Sequence, residues 1–300
     1  MSEWAAEISV DAGLARRLIR AQFPMIAADD LALVGEGWDV TAWRVDRDWL
    51  FRFPRREVVV AGLVRERAVL PQLAPLLPVG VPAVVFAGEP TDDYPHPFLG
   101  SRYLVGAEIG AVRSDDDAEL AFDLAAFLRT LHRTDPAAVG GRDLPIDPMG
   151  RADMRKRVPM TRARFDELEA HGVWRAPDGI RTFVAAAIDL PPPSVVRLVH
   201  GDLHFRQVLV DRRRLSGVVD WIDICVGDPA IDLSPYWSLV GPDERPTFAD
   251  RYGPIDADQL VRARVLALFL NGTLALYGHV EGHDAVKREA LAGLDRACRE

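Results

Sequence analysis

The chain has 300 residues, 49% of them apolar, and a formal net charge of −9. That length exceeds one compact core and suits two unequal lobes, while the acidic balance excludes the basic footprint of a general nucleic-acid binder. Two cysteines, Cys225 and Cys298, form no CxxC spacing, which excludes a disulfide framework or cysteine zinc site and suits a reducing cytoplasm.

The first seven residues carry acids where a leader peptide would need a basic region and an apolar run, so a cytoplasmic protein is expected. Leu14, Leu18 and Ile19 stand at helical spacing and predict a helix over 11–22. Short β-rich runs follow at 31–34, 43–45 and 49–53, with Asp46-Arg47-Asp48 as a tight turn between the last two. A helix is expected over 58–70, ended by the prolines at 71, 75, 78 and 82, and strands at 83–87 and 98–105. After Gly106 the pattern turns helical, over 118–133, 151–171 and 180–190, with Pro159 interrupting the second helix. A β-rich stretch at 196–219 breaks in before helices resume near 231. The ordering predicts an α+β fold: a small β-rich lobe over 1–105, a larger helical lobe over 106–300, and a cleft between them. The apolar stretch 265–277 is split by Asn271-Gly272-Thr273 and falls short of the roughly 20 residues of a membrane span, so no membrane partner is expected.

The chemistry concentrates between His200 and Asp232. Phosphoryl transfer needs a carboxylate for the acceptor hydroxyl, oxygen ligands for Mg2+ and a cation on the phosphates. A loop of the form H-x-D-L-x-x-x-N followed by a further Asp supplies the first two. His200-Gly201-Asp202-Leu203 fits that form, Gln207 stands at the Asn position, and Asp220 follows a hairpin turned at Arg212-Arg213-Arg214. Asp220-Trp221-Ile222-Asp223 then leads to Gly227-Asp228-Pro229-Ala230-Ile231-Asp232-Leu233.

These three linked motifs resemble the aminoglycoside phosphotransferase family, which includes macrolide and other antibiotic kinases and related metabolic kinases on a protein-kinase-like fold. The resemblance implies that Asp202 is the catalytic base, that Asp220 is the main Mg2+ ligand and that Gln207 replaces the second metal ligand. Gln207 is one methylene longer than Asn, and Mg2+ tolerates poor geometry badly, so direct and water-mediated contact both stay open. Asp228 and Asp232 are read as holding the loop and a helix start, with Asp232 as a cap.

In the first lobe, Gly35 and Gly37 within Val34-Gly35-Glu36-Gly37-Trp38-Asp39 form a candidate phosphate-covering turn, although the same residues suit an ordinary β-turn. Arg52 in Leu50-Phe51-Arg52-Phe53 is the candidate phosphate cation, and an inward arginine demands a carboxylate. Glu66 on the following helix is the natural partner and Glu57 the competitor; an exposed edge-strand Arg52 is the alternative. Arginine where the family usually has lysine resembles its macrolide-kinase-like branch. The resemblance further implies that 101–106 is the hinge, with Tyr103 to Val105 contacting the purine of ATP or GTP.

His200 and His204 lack further metal-binding neighbours and are read as loop-bracing and cleft-lining. The basic run 151–157 is read as a solvated helix face. By resemblance, the C-terminal helices build the acceptor pocket, with His204, Asp223, Trp237 and Glu281 as candidate contacts to a small molecule. An amino alcohol, sugar or homoserine acceptor, and a nucleotide-binding pseudokinase, remain as rival readings. Oligomeric state is not legible in the sequence.

Overall fold

The computed structural model describes residues 7–37, 39–109 and 118–299. The first six residues and Trp38 of the glycine turn lie outside them. Helix α1 (Ala12–Gln22) starts at Asp11, whose carboxylate accepts the Leu14 N–H at 2.7 Å. Strands β1 (Leu31–Glu36), β2 (Val40–Val45), β3 (Trp49–Pro54), β4 (Val84–Gly88) and β5 (Phe98–Arg102) form one antiparallel sheet in the order β1-β2-β3-β5-β4. The β2–β3 turn holds Asp46 and Arg47 at φ 47° and 67°. Asp46 stabilises that left-handed backbone by accepting the N–H groups of Ala28, Asp29 and Asp30.

One sheet face carries an aromatic core of Phe51, Phe53, Tyr94 and Phe98, covered by Phe23 beyond α1. The other face meets α2 (Val60–Leu73), because strand alternation turns Arg52 and Leu99 away from that core. Helix α2 runs through Pro71 instead of ending before it. Pro71 costs a hydrogen bond near the helix end, while Val69, Leu70 and Leu73 on either side are buried and hold the turn in place.

After β6 (Ala107–Glu108) come α3 (Ala118–Arg133), α4 (Met154–Ala170) and α5 (Asp178–Ala186). Helix α4 also continues through its proline, Pro159, and starts later than expected, capped by Asp153. Strands β7 (Arg197–Val199), β8 (Val208–Asp211) and β9 (Arg214–Val218) bear the motif, and β10 (Cys225–Gly227), unforeseen in the sequence, pairs with β7. Helices α6 (Ser234–Ser238), α7 (Arg245–Tyr252), α8 (Ala257–Val280) and α9 (Asp284–Cys298) complete the described chain.

Helix α8 corrects the sequence reading of 265–277: Asn271-Gly272-Thr273 does not interrupt it. Asn271 is buried, with its amide donating to Ala267 O at 2.8 Å, and Gly272 packs on α4. By length and composition α8 could cross a membrane, but Val265 to Leu268 and Leu274 to Ala275 are inside the protein. The large core that holds all of these except Leu266 extends back through Val69, Leu70, Leu73, Leu77 and Val81. Gly80 is bonded to the β9 strand on both sides, to Ser216 and Val218. The sheet region and the helical region are thus fastened together behind the cleft.

Candidate active site

Arg52 and Glu66 face each other between β3 and α2. Arg52 Nη1 donates to Glu66 Oε1 at 3.1 Å, and Nη2 pairs with Oε2. Glu66 is fully buried, and its Oε1 also accepts the Trp221 N–H at 2.8 Å. Burial alone would ease the proton off Arg52, but Glu66 outweighs it and keeps the guanidinium charged. The competitor Glu57 is exposed and faces His96. Two further ties reach the motif from α2: Arg65 donates to Ile222 O at 3.0 Å, and Gly62 lies so close to Ile222 that a Cβ would come within 2.4 Å of its side chain.

The strand β7 delivers His200-Gly201-Asp202. His200 N–H and Gly201 N–H donate to the two oxygens of Asp232 at 2.6 and 3.0 Å. Asp232 is therefore a loop anchor and not the helix cap read from sequence; Asp228 does the capping, accepting Ala230 N–H. Behind Asp232, His132 bridges to it at 3.2 Å and to the Tyr252 hydroxyl at 2.7 Å. The His200 ring lies against Trp221, with Nε2 3.0 Å from Val219 O and Nδ1 accepting the Asp202 N–H. Those partners select the neutral tautomer protonated at Nε2. Gly201 sits at φ 98°, where a Cβ would lie 2.2 Å from Asp223 O, so only glycine fits.

Asp202 Oδ1 lies 3.1 Å from Arg151 Nη2, and its Oδ2 lies 3.9 Å from His204 Nε2. Burial works to raise the Asp202 carboxyl, but the Arg151 guanidinium outweighs it and holds the carboxyl below the usual carboxylate range. His204 itself is pushed down to about 4 by burial, against the pull of Asp202, and is neutral at pH 7. Gln207 is buried beside it, with Oε1 accepting the His204 N–H at 3.2 Å and Nε2 3.2 Å from the ring nitrogen. Gln207 O also accepts the Val219 N–H, which sets this residue next to the segment that leads from β9 to Asp220.

Asp220 has φ 64°, a strained left-handed backbone for a non-glycine residue and a conformation concentrated at functional sites. Solvent reaches it through the cleft, yet surrounding protein and then Glu66 push its carboxyl up to about 6, against Arg52. Across the cleft, Asp39 closes the glycine turn. Burial raises its carboxyl, Arg56 at 3.0 Å opposes this, and Asp223 and Asp202 add to the rise. Arg55 braces the turn through Glu36 and Gly37 O. A Cβ on Gly35 would meet nothing within 4 Å, leaving open space there.

The structure thus brings Asp202, Gln207, Asp220, Asp223, His204, Arg52 and Glu66 together. Tyr103 and Val105 follow β5; the Tyr103 N–H is already given to Asp48 O at 2.8 Å, while Val105 is exposed. Trp237 stacks with the guanidinium groups of Arg245 and Arg264 and donates to Leu260 O. Glu281 follows the last residue of α8, exposed, about 18 Å along the helix beyond Phe269, the α8 residue that meets Arg157. Sequence reasoning missed Arg151, which is not on a solvated helix face. It precedes α4 and bridges Asp202 to Asp223 at 2.7 Å, with only 12% of its side chain exposed. The signal was Asp147, four residues earlier, whose carboxylate accepts the Arg151 and Ala152 N–H groups.

Viomycin phosphotransferase of Streptomyces vinaceus is 42% identical over 60 residues, covering 19% of this chain and 21% of that protein. The curated relatives are matched over only about a fifth of their length. Among solved structures, the GDP and kanamycin complex of APH(2")-IIia superposes with a TM-score of 0.68 at 25% identity, covering 94% of this chain and 97% of that one. The macrolide 2'-phosphotransferase MphH from Brachybacterium faecium, at 23% identity, TM-score 0.63 and coverage of 95% and 97%, shares the fold. The model of the phosphotransferase enzyme family matches residues 30–266, and the chain belongs to that family.

Proposed function

We propose that this protein transfers the γ-phosphoryl group of ATP or GTP to a hydroxyl of a small molecule, with an aminoglycoside, macrolide or related antibiotic as the leading acceptor class. The carrying observation is the bond from Trp221 N–H to Glu66, because it joins the Arg52 pair to the segment that begins with Asp220. In this reading Arg52 grips the phosphates and Glu66 keeps it in place. Asp202 orients the acceptor hydroxyl and takes its proton as the new P–O bond forms and the bond to the nucleoside diphosphate breaks. Gly35 and Gly37 let the turn approach the phosphates, and the segment from Tyr103 to Val105 meets the purine.

Asp220 and Gln207 suit Mg2+ by donor type, since both offer hard oxygens. Gln207 Oε1 spends one lone pair on the His204 N–H and keeps another. When bound, the ion would neutralise phosphate charge; the chain's part is to hold Asp220 in its left-handed conformation and Gln207 beside it. His204 and Asp223 line the acceptor side. The internal bonds of Gln207 favour a second reading, nucleotide binding without transfer. A cytoplasmic location fits both readings.

The test incubates the protein with Mg2+ and either ATP or GTP against kanamycin, viomycin, a macrolide and an amino alcohol, with mass spectrometry of each acceptor. One added phosphoryl group on an antibiotic supports the leading reading. Phosphorylation of the amino alcohol alone moves the enzyme to metabolic acceptors, and nucleotide binding without any product or hydrolysis establishes the second reading.

A further inference from the structure

Arg151 holds both Asp202 and Asp223 with a single guanidinium nitrogen, at 3.1 and 2.7 Å. An ion pair in water would be worth little, but this cation is nine-tenths enclosed and cannot swing freely. Its backbone is fastened too. Asp147 accepts the Arg151 and Ala152 N–H groups at 2.7 and 2.9 Å, and its own N–H donates to Val226 O at 2.8 Å. Asp147 stands at φ 33° to do so. The loop before α4 is therefore built to present one guanidinium to the motif.

What it presents to is equally constrained. Asp223 O packs on Gly201, the residue before Asp202, and the same tetrapeptide reaches Glu66 through Trp221 N–H and Arg65 through Ile222 O. Oδ1 of Asp202 is engaged by Arg151, and Oδ2 lies 3.9 Å from His204 Nε2.

We propose that Arg151 is a positioning residue for phosphoryl transfer: it locks Asp202 Oδ1 to Asp223, so that Oδ2 alone is turned to the acceptor hydroxyl. The proposal rests on reading Asp202 as the base. The groups that bear on Asp202 are Arg151 and Arg157 from the loop and start of α4, and His200 and His204 from its own loop. Asp220 and Asp223 follow β9, and Asp39 comes from the glycine turn. Without Arg151, burial and three nearby carboxylates act in one direction, toward a protonated Asp202. His204 is neutral and cannot replace the lost charge.

The experiment compares full-length wild type, Arg151→Met and Arg151→Lys. Carbon-13 NMR of protein labelled at the aspartate carboxyls, with Asp202 assigned through Asp202→Asn, gives the Asp202 titration without any need for an acceptor. Hydrolysis of Mg-GTP, with water in the acceptor's place, gives kcat, KM and their pH profiles. In Arg151→Met, Asp202 titrates about 1–3 pH units higher and the acid limb of kcat moves with it. The kcat falls about 100-fold with KM for GTP little changed, because in this reading Arg151 serves the base Asp202 and not the nucleotide. Arg151→Lys keeps the charge, so Asp202 titrates near its wild-type position while kcat stays depressed, since a compact ammonium on a flexible stem does not hold the two carboxylates in the same fixed geometry. An Asp202 titration that is the same in wild type and Arg151→Met overturns the positioning role, as does an unchanged kcat in both variants. A shifted titration in Arg151→Met, beside a wild type that neither hydrolyses nor transfers phosphate from ATP or GTP, leaves the lock standing and overturns the transferase reading instead.

Discussion

Replacing Glu66 by Ala removes the partner that satisfies two buried donors at once. Arg52 loses both of its side-chain bonds, and Trp221 N–H loses its acceptor at 2.8 Å. Arg52 is 8% exposed, so its charge has no ready access to water. Breaking a buried pair by deleting one member costs about 3–5 kcal/mol, most of it from the stranded charge. At about 2 °C per kcal/mol for a chain of this size, the melting temperature falls by roughly 6–10 °C. The double variant Arg52→Met/Glu66→Leu removes the charge along with its partner, and apolar replacements of a buried pair are often neutral. It should therefore melt above Glu66→Ala, although neither variant binds Mg-GTP at wild-type affinity. Calorimetric melts of the three proteins, with and without Mg-GTP, supply every quantity. A Glu66→Ala protein that melts within about 2 °C of wild type, or a double variant no more stable than the single, refutes the reasoning.

Asp232→Ala strands two buried N–H groups and His132; a loss of about 3 kcal/mol or more, measured by denaturant unfolding, should accompany slower transfer. Gly201→Ala places a methyl 2.2 Å from Asp223 O at a left-handed backbone, so transfer should drop while Mg-GTP binding measured by calorimetry persists. In chelator, His204 supplies a pH-dependent share of stability. Its folded value of about 4 lies below the unfolded one of 6.5, so the share is complete above 6.5 and is lost as pH falls toward 4. The loss is at most about 3 kcal/mol, and His204→Gln should flatten the stability profile across that window. Asp220→Asn should abolish the Mg2+ dependence of nucleotide binding; equal affinities with and without the metal in wild type would contradict its assignment.

The elements were legible where side-chain periodicity and turn chemistry agreed. Leu14, Leu18 and Ile19 gave α1, and Asp46-Arg47-Asp48 marked the β2–β3 turn. The breaks assigned to Pro71, Pro159 and Asn271-Gly272-Thr273 were not breaks. Burial of Leu70, Leu73, Phe165 and Leu268 outweighs the local cost, and no local pattern reports burial. The motif loop was legible because its residues are contiguous in sequence. Arg151 was not, because its meaning depends on Asp202 and Asp223, more than fifty residues away, and a basic run looks the same whether solvated or enclosed. Trp237 and Glu281 came from resemblance alone; in the fold Trp237 stacks with Arg245 and donates to Leu260 O, and Glu281 follows the end of α8.

The central claim is that Asp202 serves the acceptor while Asp220 and Arg52 serve the nucleotide. Rapid-quench transfer from γ-labelled GTP to an acceptor found in the panel, compared between wild type and Asp202→Asn, separates these duties. The account predicts unchanged Mg-GTP affinity in Asp202→Asn and a transfer rate lower by about 100- to 10,000-fold. Transfer at the wild-type rate, or loss of nucleotide binding instead of transfer, would contradict it.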